Sequence, residues 1–280
     1  MNKTSLLFVL LIVSQSALAT ELRWDDVYYA SGPYIGAQKT PWADRDESQK
    51  AGYLELHYKA IIYCLQNLNK SPAALRPEIS GPQLKSFPLV TPEVISSLYR
   101  EYGDYKRAAE VGYKYWVDSK HKPLLQSPEG DPIDYVIFGY KQAQMYKELA
   151  AFYAQAHKEK MKWLAGSTDV TLLKNDFNKY KQNWPSQAEN YQQFMNNWAK
   201  AKKLAKTSKP KPLDPAVQHH EWFYSEKREE VLKALEYYNK HNVVFMLEKA
   251  LKHKDPVMAA KAKEYLDGLG RVRNNAEKVK

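Results

Sequence analysis

Residues 91–116 read TPEVISSLYREYGDYKRAAEVGYKYW, and this stretch predicts a pair of helices. Thr91-Pro92-Glu93 supplies a capping residue, a proline at the first helical position and an acid in the first turn, a combination typical of a helix start. Gly103 predicts the turn between the two helices because glycine and its neighbour Asp104 are turn residues. The stretch therefore predicts a helical hairpin.

The same hairpin resembles the tetratricopeptide repeat, near residues 92–117. The match rests on small and aromatic residues of the first helix, then G-D-Y and alanine in the second, at Ile95, Ser96, Tyr99, Gly103, Tyr105 and Ala108. It departs from the repeat at Pro92 and Gly112, where the pattern has large residues. A looser second match lies at Val136, Tyr140, Tyr146, Tyr153 and Ala156. The resemblance implies stacked helical hairpins.

The composition extends this prediction to the whole chain. It has only 11 glycines in 280 residues, few β-branched runs, and many Lys, Ala, Glu, Gln and Leu residues, which favour helices. One long helix is expected from Pro132 to about Leu164. The stretch DPVMAAKAKEYLDGLG, residues 255–270, is similar to a helix of HEAT-type repeats. We predict an all-α fold of helical hairpins in a repeat-like or irregular solenoid bundle, with an irregular N-terminal segment.

Prolines, glycines and changes in charge divide the chain into segments. We predict a signal peptide at 1–19, an irregular N-terminal segment at 20–50, a helical domain at 51–206, a Lys/Pro linker at 207–214, a C-terminal helical subdomain at 215–270 and a basic tail at 271–280.

The N-terminus predicts export. Lys3 precedes the apolar run Leu6–Val13, and Ala17-Leu18-Ala19 fits the small-x-small cleavage pattern of a secretory signal peptide. An uncleaved anchor is the less favoured alternative. Cys64 is the only cysteine, so the exported chain has no internal disulfide, which favours a bacterial periplasmic or secreted protein over an animal extracellular domain. We expect no membrane-spanning segment after the signal peptide.

The formal net charge is +10 at pH 7, and residues 200–211 hold six lysines and no acid. Such a stretch can bind a protein or an anionic component of the cell envelope, whereas nucleic acid is a less favoured partner for an exported chain. An ordinary solvated lysine surface remains the alternative. The candidate binding residues are Trp222 and the lysines Lys200, Lys202, Lys203, Lys206, Lys209 and Lys211.

The stretch DPAVQHHEWFYSEKREE, residues 214–230, suggests a metal site at first sight. Consecutive residues of a helix point about 100° apart, so His219, His220 and Glu221 cannot easily share one ion. On a continuous helix one face would carry His220, Tyr224, Val231, Leu235 and Tyr238, which predicts a hydrogen-bonded histidine at the edge of a buried face. Trp222 points away from that face and is therefore a candidate contact residue.

No nucleophile elbow, phosphate-binding loop, C-x-x-C pair or dinucleotide fingerprint is present in the sequence. We therefore predict no catalytic residue, metal or cofactor, and an exported non-enzymatic binding or scaffold protein. A helical envelope hydrolase that uses unidentified Asp or Glu residues remains the alternative. The 21 tyrosines and 7 tryptophans favour an aromatic core, with an aromatic binding groove as the second interpretation.

Overall fold

The computed structural model describes residues 41–68, 90–118, 132–163 and 168–278. These residues form helices and connecting turns without any strand, which confirms the all-α prediction. The predicted signal peptide and residues 20–40 of the predicted irregular segment lie outside the described residues. Within the described ranges no helix is both long and apolar enough to cross a membrane.

Twelve α-helices follow a short 3₁₀ helix at Trp42–Asp44 in the described part of the chain. They are α1 (Glu47–Gln66), α2 (Pro92–Tyr102), α3 (Tyr105–Asp118), α4 (Pro132–Gln142), α5 (Tyr146–Trp163), α6 (Thr168–Asn175), α7 (Phe177–Asn183), α8 (Pro185–Leu204), α9 (Pro215–Phe223), α10 (Arg228–Lys240), α11 (Val244–Ala250) and α12 (Pro256–Lys278).

The chain divides into two compact units. The split unit combines Met1–Gly103 with Leu213–Lys280, and the inserted unit is the continuous segment Asp104–Pro212. The boundary between Gly103 and Asp104 falls at the turn of the predicted hairpin, so its two helices belong to different units. The domains predicted from composition, 51–206 and 215–270, group the helices differently from these compact units. They stay a prediction.

In the split unit α1 packs on α2 and α9, while α10 packs on α9, α11 and α12. Helix α1 begins at Glu47, inside the segment predicted to be irregular. It begins there because Asp46 and Gln49 form a capping box, in which the Gln49 amide donates to the Asp46 side chain over 2.7 Å. The apolar stripe of α1 then buries Ala51, Leu54 and Ile61.

The single helix face drawn from His220 to Tyr238 assumes one continuous helix, and this assumption is wrong because the structure has two helices there. Helix α9 ends at Phe223, and the amide of Lys227 donates to the Ser225 hydroxyl over 3.1 Å just before α10 begins. The residues assigned to that face are nevertheless buried in the split unit. Val231, Leu235 and Tyr238 belong to its hydrophobic core, and His220 is fully buried.

In the inserted unit α4 packs on α3 and α5, and α8 packs on α5 and α7. The approach of α4 to α3 is close, because a Cβ added at Gly139 would lie 2.6 Å from the backbone oxygen of Tyr105. The single helix expected from Pro132 to about Leu164 is wrong: α4 ends at Gln142, and Gln144 takes a left-handed conformation with a φ of 54°.

Aromatic rings fill much of both interiors. The inserted unit buries Trp116, Phe152 and Tyr153 in one cluster, with Trp198 and Phe194 partly buried against it. Edge-to-face contacts are typical, as between Trp116 and Phe152, whose ring centroids are 5.2 Å apart. Many of the aromatic residues are therefore core residues, as the sequence favours.

Candidate functional site

Four helices of the split unit bring polar side chains into one largely buried cluster, here called the Glu55 cluster. Its members are Glu55 and Tyr58 of α1, Tyr102 of α2, His220 of α9, Tyr224 directly after α9, and Lys249 of α11. Each helix presents its member on the side that faces the neighbouring helices, so the contacts join segments that are far apart in sequence.

His220 lies at the centre of the cluster, with no exposed surface. Its Nδ1 is 2.9 Å from the hydroxyl of Tyr102, and its Nε2 is 3.3 Å from Oε2 of Glu55. A carboxylate can only accept, so Nε2 carries the proton and donates to Glu55, while Nδ1 accepts from Tyr102. Both nitrogens of a neutral ring are thereby satisfied.

The carboxylate of Glu55 accepts from several directions. Its Oε2 accepts from Tyr224 as well as from His220, and its Oε1 accepts from Lys249. A second ammonium group, that of Lys59, lies 3.6 Å from Oε1. Tyr224 also receives a hydrogen bond of 2.5 Å from Lys249 and stacks on Tyr58 at 4.1 Å. Both carboxylate oxygens are therefore engaged by protein donors.

These contacts fix the charge state of the cluster. Burial alone would raise the pKa of Glu55, but the hydrogen bond from His220 and the charge of Lys249 outweigh it and lower the pKa to about 2. Burial lowers the pKa of His220 despite its bond to Glu55. Burial also lowers the pKa of Lys249, against the opposing charge of Glu55, and raises that of Tyr224. Near neutral pH the cluster pairs an ionised Glu55 with a neutral His220.

This arrangement is suited to holding helices together more than to catalysis. A carboxylate with a pKa of about 2 is a weak base and does not carry a proton near neutral pH. His220 is fully enclosed, so its ring cannot contact a substrate. The cluster resembles a satisfied buried network, in which each donor has an acceptor and the loss of one partner would leave the others unpaired.

Of the three residues that suggested a metal site, only His220 belongs to the cluster. His219 points elsewhere: its Nδ1 donates to the carbonyl oxygen of Pro215 over 2.6 Å, and its ring stacks on Tyr237 at 4.0 Å. Among the described residues no group of three or more His, Cys, Asp or Glu side chains could hold a metal ion.

Trp222 is partly buried against the core of the split unit. The His219 ring meets it edge-on at 4.9 Å, and the ammonium of Lys233 lies 5.5 Å from its ring centroid. Part of the ring therefore has a packing role within the unit. Its selection as a binding residue stays a prediction.

The six candidate lysines lie together in the inserted unit, on the last part of α8 and on the coil that follows it. All six side chains are exposed, and in the described part of the chain none is within ion-pair distance of an acid: Lys200, Lys202, Lys203, Lys206, Lys209 and Lys211. We call these six residues the lysine surface. Lys202 lies over the ring of Trp198, 4.5 Å from its centroid.

Sequence reasoning missed Glu55, Tyr102 and Lys249 as members of the cluster. A signal for Glu55 was present, since it lies four residues after Ala51 and three before Tyr58 and so belongs to the apolar face of α1. An acid in that position requires a buried partner.

Comparison with known proteins identifies no relative. No protein-family model matches the chain, and neither a curated protein nor a solved structure matches it.

Proposed function

We propose that the chain is an exported, non-enzymatic α-helical binding or scaffold protein of the bacterial cell envelope, periplasmic or secreted. Its partner is a protein or an anionic component of the envelope, and its helix pairs serve as tetratricopeptide-like binding modules. The expected signal peptide, residues 1–19, supports the location.

The lysine surface is the observation that carries this proposal. Its six ammonium groups are exposed and unpaired with acids in the described part of the chain, so the local charge is free to attract an anionic partner. The Glu55 cluster supports the non-enzymatic part of the proposal, because its polar groups already bind one another.

The test is affinity capture from an envelope extract with the full chain, beside a variant in which all six lysines are replaced by glutamine. We expect the wild type to retain an envelope component that the variant loses, and to release no soluble fragments from purified cell wall. Equal capture by both proteins would remove the lysine surface from the proposal. Turnover of cell wall by the wild type would overturn the non-enzymatic assignment.

One observation favours the alternative, a helical envelope hydrolase. Glu110 on α3 is part-exposed, and burial, opposed by the charge of Lys106, raises its pKa. A carboxyl that keeps its proton to higher pH is what a general acid needs in glycoside hydrolysis. Activity of the wild type on purified cell-wall glycan decides this alternative. Glu110→Gln then tests the residue: loss of that activity would assign the acid role to Glu110, and full activity would exclude it.

A further inference from the structure

The coil that carries half of the lysine surface is fixed to the body of the inserted unit. The backbone amide of Lys211 donates to the carbonyl oxygen of Ala143 over 2.8 Å, at the turn between α4 and α5. Lys141, two residues before Ala143, is exposed and has no acid within ion-pair distance in the described residues. The backbone of Lys141, an exposed lysine about seventy residues earlier in sequence, therefore lies near the Lys211 end of the lysine surface.

The helix end helps to explain why the lysines accumulate there. Lys202 and Lys203 lie in the last turn of α8, where the partial negative charge of the helix C-terminus favours cations. That effect accounts for two of the residues. Lys206, Lys209 and Lys211 lie beyond the helix, and among the described residues no acid lies within ion-pair distance of them.

The kind of cation indicates the kind of partner. The stretch 200–211 contains lysine and no arginine. Lysine acts as a mobile, hydrated point charge, whereas arginine supplies the planar fork that recognises individual phosphate or carboxylate groups. Several lysines therefore suit a partner with many diffuse negative charges over a surface more than a partner with a few ordered anions.

Trp198 adds a second feature of the same region. It lies one turn before Lys202, is partly exposed, and stands beneath the Lys202 ammonium. Tryptophan beside lysine is typical of side chains that sit at the level of lipid headgroups, and clusters of four to eight lysines or arginines bind anionic lipid surfaces.

We propose that the lysine surface without Lys200, together with Lys141 and Trp198, docks the inserted unit on the anionic headgroups of a lipid bilayer. Lys200 is left out because it points about 160° away from Lys202 on α8. This inference rests on the proposed function and names its partner class. The contact is peripheral and electrostatic, so it weakens as salt screens the charges.

The test compares two triple variants of the full chain that change the net charge equally. K203Q/K206Q/K209Q removes charge from the lysine surface, and K240Q/K252Q/K254Q removes it from exposed lysines of the split unit, which likewise have no acid within ion-pair distance among the described residues. Binding is measured by co-sedimentation with vesicles of phosphatidylcholine alone and of phosphatidylcholine mixed with phosphatidylglycerol. All three proteins share residues 1–40, so any contribution of that segment is common to them.

We expect wild-type binding only when phosphatidylglycerol is present, and weaker binding at higher salt. The first triple variant should bind roughly tenfold to a hundredfold more weakly, while the second should change binding less than about threefold. Equal weakening by both variants, or the same increase in binding on adding phosphatidylglycerol in all three proteins, would overturn the proposal. So would binding of soluble polyphosphate without binding of vesicles, because the partner would then be a polyanion in solution.

The outcome is separable from that of the proposed function. A protein that captures an envelope component but does not bind the mixed vesicles keeps the proposed function and loses the lipid partner. Binding to the mixed vesicles with the expected difference between the variants supports both.

Discussion

At the scale of single residues, one buried acid organises much of the split unit. Taking a carboxylate out of water costs several kcal/mol unless charged and hydrogen-bonding partners compensate it. Glu55 has these partners in His220, Tyr224 and Lys249, which come from α9 with its C-cap and from α11 of the second chain segment. The cluster therefore ties α1 to α9 and α11, because separating these helices would leave a buried charge without its partners.

The sequence predicted part of this network. A hydrogen-bonded His220 at the edge of a buried face was an expectation, and the structure confirms that it is buried and bonded through both nitrogens. Its partner could not be predicted, because Glu55 lies 165 positions away. Periodicity shows which side chains face inward but contains no information about which inward faces meet.

The cluster predicts an acid-sensitive fold. The pKa of Glu55 is about 2 in the folded chain against an ordinary 4.5, so its stabilisation is complete above pH 4.5 and is lost as pH falls towards 2. The pKa of His220 is lowered from 6.5, so protons bind the unfolded chain more readily and stability falls as pH drops below 6.5. We expect the free energy of unfolding, measured with urea, to fall from pH 7 towards pH 4.5 as the unfolded chain takes up the His220 proton, and to fall further from pH 4.5 to pH 3 as Glu55 contributes less.

Glu55→Gln tests the cause of this acid sensitivity. At pH 7 it should lower stability by about 3–5 kcal/mol, since it leaves Lys249 without its opposite charge, and it should flatten the dependence below pH 4.5. Glu264→Gln is the matched control, because Glu264 forms only an exposed pair with Lys261 and its loss should cost less than about 1 kcal/mol. Equal effects of the two substitutions would contradict the role given to Glu55.

At the scale of helices, the sequence predicts where helices begin better than where they end. Prolines at the first position mark α2, α4, α8, α9 and α12. The breaks at Gln144 and after Phe223 are among those that the sequence does not predict. Gln144 and Asn242 close their helices in the same way, each with a positive φ and a hydrogen bond from the next amide to a carbonyl five residues back. Asparagine adopts a positive φ more readily than most residues, so Asn242 is a sequence signal for a helix end. Glutamine has no such preference, so Gln144 is not one.

The contact of α3 with α4 depends on a missing side chain. A Cβ at Gly139 would lie 2.6 Å from the Tyr105 oxygen and 2.8 Å from the Cβ of Ala109, so the helices would have to separate. Alanine gains up to about 1 kcal/mol of helix propensity, but overpacking against backbone should cost more. We expect Gly139→Ala to lower the free energy of unfolding of the inserted unit by roughly 1–2 kcal/mol, seen as a lower midpoint in urea unfolding.

Gly52→Ala is the control for that substitution. Gly52 lies within α1, and nothing stands within 4 Å of a Cβ added there. The same change should therefore show only the propensity gain and stabilise its unit by about 0.5–1 kcal/mol. If Gly139→Ala stabilised the protein as Gly52→Ala does, the close approach of α3 and α4 would be contradicted.

At the scale of the whole molecule, the two compact units do not follow the order of the chain. The inserted unit is one continuous segment, whereas the split unit needs helices from both sides of it. Three contacts show this dependence: Glu55 with His220, Tyr237 with Glu47, and the Trp42 indole with Asp214 over 3.2 Å. The division between Pro212 and Leu213 lies within residues 207–214, where the composition predicts a Lys/Pro linker. At Gly103 the sequence indicates only a turn between two helices. A local pattern of this kind does not distinguish the turn of a hairpin from the boundary of a compact unit.

This topology predicts which pieces of the chain fold alone. A fragment of residues 104–212 keeps its core of Trp116, Phe152 and Tyr153, so it should show helical circular dichroism and a cooperative thermal transition. A fragment of residues 213–280 loses Glu55 and Glu47, leaves His220 and Lys249 without their acid, and should unfold without a sharp transition. A chain that joins Gly103 to Leu213 through a long glycine-serine linker should restore that transition, because it returns both halves of the split unit. If the fragment 213–280 alone were as stable as the joined chain, the contacts across the two segments would contribute little, and the structural role of the Glu55 cluster would be wrong.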